Sequence, residues 1–264
     1  MYYLSKIKNI VNIILRRQIK LSGNYKSWEQ ALKLSNGYND NKIFEKTIKS
    51  AEIVLSKKAK FERDSFLFYK ESYDETFLSI IKKIKKKIKK IYLCDFGGSL
   101  GSLYFQHRSF LRSSTIEWNI LEQKHLVKYA RDKIKIKNLN FFYNFNFLLK
   151  KKINVVLFSS SLQYLKNPYQ ILDKIMKKKI PNIIIHRSPF TQTSEIIKIQ
   201  HVPKHIYKAS YPIRILNINK ICKKLNKAGY KINTKYRIKE EIGGYFYETF
   251  YFERKHDSKY NNLF

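Results

Sequence analysis

The sequence predicts an α/β protein with a doubly wound, Rossmann-like, mostly parallel sheet, a C-terminal antiparallel hairpin and a helical N-terminal extension. Three observations lead there. The apolar run Ile91, Tyr92, Leu93, Cys94 passes directly into Asp95-Phe96-Gly97-Gly98-Ser99-Leu100-Gly101, which reads as a buried strand turning sharply into a helix. Trp118-Asn119-Ile120-Leu121-Glu122 reads as a second short strand that ends on a carboxylate, Glu122 lying 21 residues beyond Gly101. From Glu75 to Glu253 helical and strand patterns follow one another, the order of a chain built from βαβ units.

Two regions are expected: a helical extension or cap over residues 1–74 and the sheet-bearing domain over residues 75–264. Residues 1–21 have the pattern of an amphipathic helix, with Leu4, Ile7, Val11, Ile14 and Leu15 opposite Lys and Arg. Such a helix either lies on a membrane surface or packs on its own domain. Ser27 has the place of an N-cap for a short helix that Asn36-Gly37 ends, and Ile43, Phe44, Ile48 and Ala51 share one face of a helix over 41–58. Phe61 to Phe68 mixes charge with aromatics outside any helical stripe. It reads as a substrate or lid contact, or as an Arg–Asp pair pinning a cap.

Glu75 to Lys90 restores a helical period through Phe77, Leu78, Ile81, Ile84 and Ile88, its lysines forming the solvated side. After the glycine turn, Leu103 to Leu111 begins the first crossover, with Arg108 read as a structural pair. A second helix runs from Glu122 through Ala130, a third strand from Leu139 to Phe145 and a fourth from Asn154 to Phe158. Pro168 starts a helix through Lys178, and Ile183-Ile184-Ile185 makes a fifth strand ending at His186-Arg187-Ser188-Pro189-Phe190-Thr191. Residues 191–217 read as a long irregular stretch, of a length more often functional than idle. Asn219 to Ala228 is helical, Gly229 stops it, and Lys231 to Ile238 with Tyr245 to Glu253 form the closing hairpin around Gly243-Gly244.

A chain of 264 residues can bury roughly three quarters of its unfolded surface, enough for one sizeable core. The formal charge of +34 taken alone points to nucleic acid or an anionic membrane as partner. Its composition points elsewhere. Of the 54 basic residues only ten are Arg, and Ile, Asn, Tyr and Phe abound alongside Lys, as an A+T-rich coding sequence would produce. Arg is the residue suited to bidentate phosphate and base contacts, so its scarcity argues against a dedicated nucleic-acid reader. Cys94 and Cys222 are the only cysteines, too few for a disulfide framework or a zinc site, and no metal site is expected. A reducing cytoplasm suits this usage, and no signal peptide or transmembrane span of about 20 apolar residues is read near the start.

Without Cβ atoms, the glycine turn lets a ligand approach main-chain N–H groups at the start of the next helix. An acidic side chain at the tip of the second strand can accept both hydroxyls of a ribose. Asp95, Gly97, Gly98, Ser99, Gly101 and Glu122 are therefore expected to hold an adenosine-type nucleoside. A dinucleotide loop wants G-x-G-x-x-G, which this stretch does not fit; an ordinary strand-to-helix turn without a ligand is the alternative. Ligands of open parallel sheets sit outside the carboxyl ends of the strands. Ser159, Ser160, Gln163 and Tyr164 should accordingly line the pocket.

The glycine turn resembles the first motif of class I S-adenosylmethionine-dependent methyltransferases, Asp-x-Gly-x-Gly-x-Gly, with Ser99 in place of the middle glycine. Further blocks extend the likeness: Tyr104-Phe-Gln-His-Arg, Trp118-Asn-Ile-Leu-Glu-Gln, Ser159-Ser-Ser-Leu-Gln-Tyr-Leu, Gln200-His-Val-Pro and Ala209-Ser-Tyr-Pro. With Ser27-Trp-Glu-Gln-Ala and Phe61-Glu-Arg-Asp-Ser they resemble, over nearly the whole chain, a family of bacterial methyltransferases often linked to surface-polysaccharide gene clusters. The resemblance implies S-adenosylmethionine as cofactor and the class I sheet with its terminal hairpin. It also implies an acidic residue where this chain has His186.

Methyl transfer from a sulfonium is an in-line displacement whose donor is already activated, so alignment dominates and can recover about 7–11 kcal/mol. A general base adds about 10²–10⁴-fold. His201 and His186, following the fifth strand on the ligand side, are the candidates for that base, with a hydrogen-bonded structural role as the alternative for each. Arg187, Tyr164, Tyr207 and Tyr211 are candidates to hold an anionic or sugar-like acceptor. The expected function is O-methylation of a saccharide or saccharide-linked intermediate. Two rivals stand beside it: an RNA methyltransferase, favoured by charge, and a noncatalytic protein that keeps the fold and docks on anionic lipid through residues 1–21.

Overall fold

The computed structural model describes residues 19–37, 41–111, 115–203 and 209–255. The chain opens with strand β1 (Lys20–Tyr25), helices α1 (Trp28–Lys33) and α2 (Asn41–Leu55), and a hairpin of β2 (Phe61–Arg63) and β3 (Phe66–Phe68). It continues through α3 (Glu75–Lys85), β4 (Ile91–Phe96), α4 (Ser102–Leu111), β5 (Ile116–Leu121), α5 (Lys124–Lys133), β6 (Leu139–Phe142), α6 (Phe145–Leu148) and β7 (Val155–Ser159). A 3-10 turn (Leu162–Tyr164), α7 (Pro168–Lys177), β8 (Asn182–Thr191), β9 (Ile196–Val202), β10 (Ala209–Asn217), α8 (Ile218–Lys227), β11 (Tyr230–Ile242) and β12 (Tyr245–Arg254) follow.

Side chains in the sequence set most helix starts. Ser27, Asp74, Asn144 and Asn217 each accept a hydrogen bond from a backbone N–H in the first turn of the helix they precede, which satisfies a donor that the helix itself leaves unpaired. Pro168, which has no N–H to lose, opens α7. Part of the positive charge also has a local use. Lysines crowd the last turns of α3, α7 and α8, where they complement the helix dipole.

The sheet is the Rossmann-like arrangement expected. Five parallel strands lie in the order β6-β5-β4-β7-β8, and β12 continues it antiparallel to β8 with β11 outside. The order reverses between β4 and β7, and ligands of such sheets bind at the carboxyl ends beside that reversal. Each central strand is buried on both faces, which is why its sequence reads as a continuous apolar run. On one face Val155 and Leu157 join Leu93, Trp118 and the helix residues Ile81, Ile84 and Val127. On the other, Val156 and Phe158 join Leu172, Ile183, Leu225 and Phe252. Burying each such aliphatic side chain stabilises the fold by about 1.5–3 kcal/mol.

Three expectations are corrected here. Residues 191–217 are not an irregular loop, because β9 and β10 pair antiparallel from Ala209↔Val202 to Ile215↔Ile196. Pro203, Pro212 and the mixed polarity hid this alternation from the sequence. Pro212 is tolerated because the second partners of β10 lie to either side of it, Gly37 at Ser210 and Phe190 and Thr191 of β8 at Leu216 and Asn217. Second, the N-terminal region is not wholly helical, and 74 is not a clean boundary. Lys20–Tyr25 pairs antiparallel with β9, Lys20 opposite His201, so residues from both sides of position 74 share one sheet. Third, residues 61–68, read only as charge and aromatics outside any helical stripe, form the β2–β3 hairpin, its tight turn made by Asp64 and Ser65, both with positive φ. Residues 1–18 of the proposed amphipathic segment lie outside the described residues. Among the described residues no helix is long and apolar enough to cross a membrane.

Candidate functional site

β4 delivers Asp95 to the carboxyl edge of the sheet, and the chain then turns on Gly97 at φ +75°. Two close approaches explain the two adjacent glycines. A Cβ on Gly97 would lie 2.8 Å from the Cβ of Ser161, and one on Gly98 would lie 2.4 Å from Asp95 Oδ2. Main chain thus sits directly against the Asp95 carboxyl. That carboxyl is buried, accepts a hydrogen bond from Trp118 Nε1 on Oδ2 (3.0 Å) and leaves Oδ1 without a hydrogen-bond partner among the described residues. Burial pushes its pKa up to about 7, against the Trp118 bond and assisted by the charge of Glu122.

Glu122 follows the last residue of β5 and faces the same turn. Its Oε2 accepts from the Ser99 N–H (3.0 Å) and its Oε1 from the Gln123 N–H (2.8 Å). Burial raises its pKa while these bonds lower it. Each oxygen keeps a second lone-pair direction, so a ribose hydroxyl can still be accepted. The sequence suggested only the ribose contact; in the fold Glu122 also staples the turn. Ser99, at φ +53°, occupies a left-handed conformation that costs a non-glycine residue about 1–2 kcal/mol, and the bond from its N–H to Glu122 holds it there.

A second cluster joins the carboxyl end of β7 to the middle of β8, where Ser159 is the register partner of His186. His186 is 0% exposed. Ser159 Oγ is hydrogen-bonded to His186 Nδ1 (2.9 Å), and His186 Nε2 to Asp74 Oδ2 (3.1 Å). The Asp74 N–H donates to His107 Nε2 (2.9 Å), and His107 Nδ1 bonds the Leu103 carbonyl (2.9 Å). Burial by itself would raise the Asp74 carboxyl, but its bonds from His186 and Phe77 hold it well below the usual carboxylate range. Burial pushes the His186 imidazole down, against the pull of Asp74, and so favours a neutral ring. His186 is therefore not a base in direct contact with an acceptor, because both ring nitrogens are engaged inside the protein.

Beside it, Ser160 and Arg187 both adopt positive φ, +52° and +51°. The Ser160 N–H donates to the His186 carbonyl and its Oγ to the Arg187 carbonyl (both 2.9 Å). Ser160 thus ties the end of β7 to β8. Gln163 is buried, accepts from Ser188 Oγ through Oε1 (3.0 Å) and leaves Nε2 unpartnered among the described residues. Arg187 is half-buried, with its guanidinium 5.9 Å from the Tyr247 ring.

The antiparallel lobe forms a further wall. Tyr164 OH donates to Gln200 Oε1 and Gln200 Nε2 to Tyr211 OH, both at 2.9 Å, with the two rings edge to face at 5.4 Å. Phe66 at the tip of the β2–β3 hairpin packs against the cluster that holds Tyr211. Glu62 of the same hairpin accepts from Ser102 Oγ at the start of α4, and Arg63 donates to Gln106 Oε1 (2.9 Å). His201 does not join this wall. Neighbours along a strand face opposite sides, so beside buried Gln200 the imidazole is exposed and bonds Ser22 (2.6 Å). Tyr207 lies outside the described residues.

Asp74, Gln200 and Glu62 were not among the expected site residues, and His107 was expected near the ligand cleft only if the early turns of its helix face it. Of the first three, Asp74 alone left a signal in the sequence, as an N-cap residue just before a helical period. His107 has a measurable consequence. Burial lowers its pKa to about 4 from 6.5, so between those values the unfolded chain binds a proton that the folded chain refuses. Stability from this group falls as pH drops through that window, by about 3 kcal/mol in all. Asp95, with its pKa raised to about 7, acts in the opposite sense, so the effect is read against a variant. Urea unfolding of His107→Gln at pH 7 and pH 4 should show an acid loss about 3 kcal/mol smaller than wild type. Equal losses in the two proteins would show that His107 titrates normally in the fold.

No family model matches the sequence, and no curated protein matches it. Solved structures do. The N-terminal domain of EvdMO1, solved in the presence of SAH and D-fucose, is similar at TM-score 0.50 and 12% identity, over 80% of this chain and 96% of that one. The glycopeptide N-methyltransferase MtfA complexed with S-adenosyl-L-methionine covers 67% of this chain and 87% of its own at 10% identity and TM-score 0.47. Magnesium protoporphyrin IX methyltransferase (ChlM) from Synechocystis PCC 6803 with bound SAH covers 69% and 82% at 15% identity and TM-score 0.46. At these identities the likeness is one of fold.

Proposed function

We propose that the protein is an S-adenosylmethionine-dependent methyltransferase that methylates a hydroxyl of a saccharide or saccharide-linked intermediate of surface-polysaccharide synthesis. One observation carries the cofactor assignment. Asp95 Oδ1 is a buried carboxyl oxygen, without a partner among the described residues, beneath a turn whose glycines keep side chains away, and in its ionised form it fits the ammonium of an amino-acid-bearing nucleoside. Glu122, with one lone-pair direction free on each oxygen, would take the ribose. The group itself supplies an activated methyl on a sulfonium. The turn and its two carboxylates would fix where that methyl stands, and orientation is the larger part of catalysis in such a displacement.

The acceptor assignment rests on the wall of amides and phenols. Gln163 Nε2 offers a free buried donor, and Tyr164, Gln200 and Tyr211 offer a rigid hydrogen-bonding and aromatic surface, the mixture that suits a polyol with apolar ring faces. The EvdMO1 domain, which shares the fold, was solved with D-fucose. The sequence blocks quoted above support the surface-polysaccharide context.

Calorimetric titration tests the cofactor. S-adenosylmethionine and S-adenosylhomocysteine should bind with micromolar affinity, about −8 kcal/mol, whereas NAD should not. Glu122→Ala should weaken both by about tenfold, the equivalent of one charged hydrogen bond. If folded protein bound neither ligand, the methyltransferase reading would be lost.

A further inference from the structure

We propose that Ser159, His186 and Asp74 form a proton-accepting chain, in which Ser159 Oγ takes the proton of the acceptor hydroxyl as His186 takes that of Ser159. The inference rests on the methyltransferase reading above and assigns that reaction its base. Of Ser159 and His186, which share the transferred proton, only Ser159 can meet an acceptor. It is half-buried at the carboxyl end of β7, on the same face of the sheet as Asp95, whereas His186 is wholly enclosed. His186 and Asp74 act through it and are positioning residues.

Hydrogen bonding fixes the tautomer. Asp74 is held anionic by its donors, one of which is the Phe77 N–H on Oδ1, so the 3.1 Å contact to Oδ2 requires the proton on His186 Nε2. A neutral ring then has a bare Nδ1 facing Ser159 Oγ at 2.9 Å. The Ser159 hydroxyl must donate to it and turn its own lone pairs outward. The step balances. The acceptor O–H bond breaks as its oxygen bonds the methyl carbon, and the sulfur leaves with the carbon–sulfur pair. The released proton goes to Ser159 Oγ as the Ser159 proton goes to Nδ1, leaving an imidazolium against the Asp74 carboxylate.

The surroundings let that charge form only transiently. Phe77 is the ring nearest the imidazole (centroids 6.1 Å), while Arg63 from the hairpin and Arg187 from β8 both disfavour a cation. His107, on α4, adds no competing proton toward Asp74, because its Nε2 accepts from the Asp74 N–H. Asp74 is thus the one group on the elements packed here that stabilises a charged ring. The ring can accept a proton during the reaction and gives it up afterwards.

Two measurements on the full chain test this without knowledge of the acceptor. Long-range ¹H–¹⁵N spectra should show His186 protonated on Nε2 and bare on Nδ1 near neutral pH. A proton resident on Nδ1 would overturn the proposal, because the ring could then receive nothing from Ser159. The second probe is an alkyl fluorophosphonate, whose reaction with Ser159 needs the same transfer of the hydroxyl proton to Nδ1 as the oxygen–phosphorus bond forms and fluoride leaves. Labelling of Ser159 should slow as pH falls and the ring protonates. It should be about 10²-fold slower in His186→Gln and slowed in Asp74→Asn, with circular dichroism confirming that both variants fold. Absence of labelling in wild type, or the same rate in the variants, would refute the chain. Failure of S-adenosylhomocysteine to bind would instead refute the methyltransferase reading, and the two failures are read independently.

Discussion

Gly97→Ala is expected to lower the melting temperature by about 6–12 °C, the effect of losing about 3 kcal/mol in a domain of this size. Two costs add. At φ +75° an L side chain is strained by about 1–2 kcal/mol. Its Cβ would also stand 2.8 Å from the Ser161 Cβ, and Ser161 is tied to the Phe96 carbonyl through Oγ, so it cannot swing away; such overpacking costs about 1–3 kcal/mol. Gly229→Ala separates the two contributions. Gly229 has φ +84° but open space where a Cβ would lie, so that variant should lose only about 1 kcal/mol. Equal losses in the two, by calorimetric unfolding, would mean that the turn is not packed against Ser161. Because the same turn carries the proposed cofactor, Gly97→Ala should also bind S-adenosylhomocysteine more weakly than Gly229→Ala does.

The second large effect concerns Asp95 and pH. With a pKa near 7 in the free protein, its carboxyl is about half ionised at neutrality, and an ammonium ligand binds the ionised form. Affinity for S-adenosylhomocysteine should therefore rise about tenfold from pH 5.5 to pH 6.5. It should level off above 7 and decline above about 8 as the ligand amine loses its proton. Asp95→Asn removes the charge while preserving shape. It should bind about 10–100-fold more weakly at pH 7.5, the worth of a charged hydrogen bond, with no dependence on pH below 7. A wild-type affinity that is flat between pH 5.5 and 7.5 would show that Oδ1 does not meet the ammonium.

Adjacent runs in the chain were enough to identify the Rossmann-like sheet. Ile91 to Cys94 and Val155 to Phe158 are apolar throughout and Trp118 to Leu121 is broken only by Asn119, and a strand buried on both faces needs such a run whatever lies around it. The glycine pair and Glu122 were equally legible, since a sharp turn and an acidic strand tip follow from residue type and spacing. What lay beyond reach was assembled from distant segments. His186 reads in the sequence as a histidine near a ligand; 112 residues separate it from the Asp74 that settles its tautomer. His201 reads the same way, yet strand alternation turns it outward while its neighbour Gln200 joins Tyr164 and Tyr211. Local sequence determined most of the helices, the central parallel strands and where the main chain must bend after β4, because those depend on propensity and on side chains a few residues apart; strands β1 to β3, β9 and β10 it did not. Only the tertiary structure decided which polar groups are buried, and against which partners, because burial and hydrogen bonding across a sheet are set by residues brought together from opposite ends of the chain.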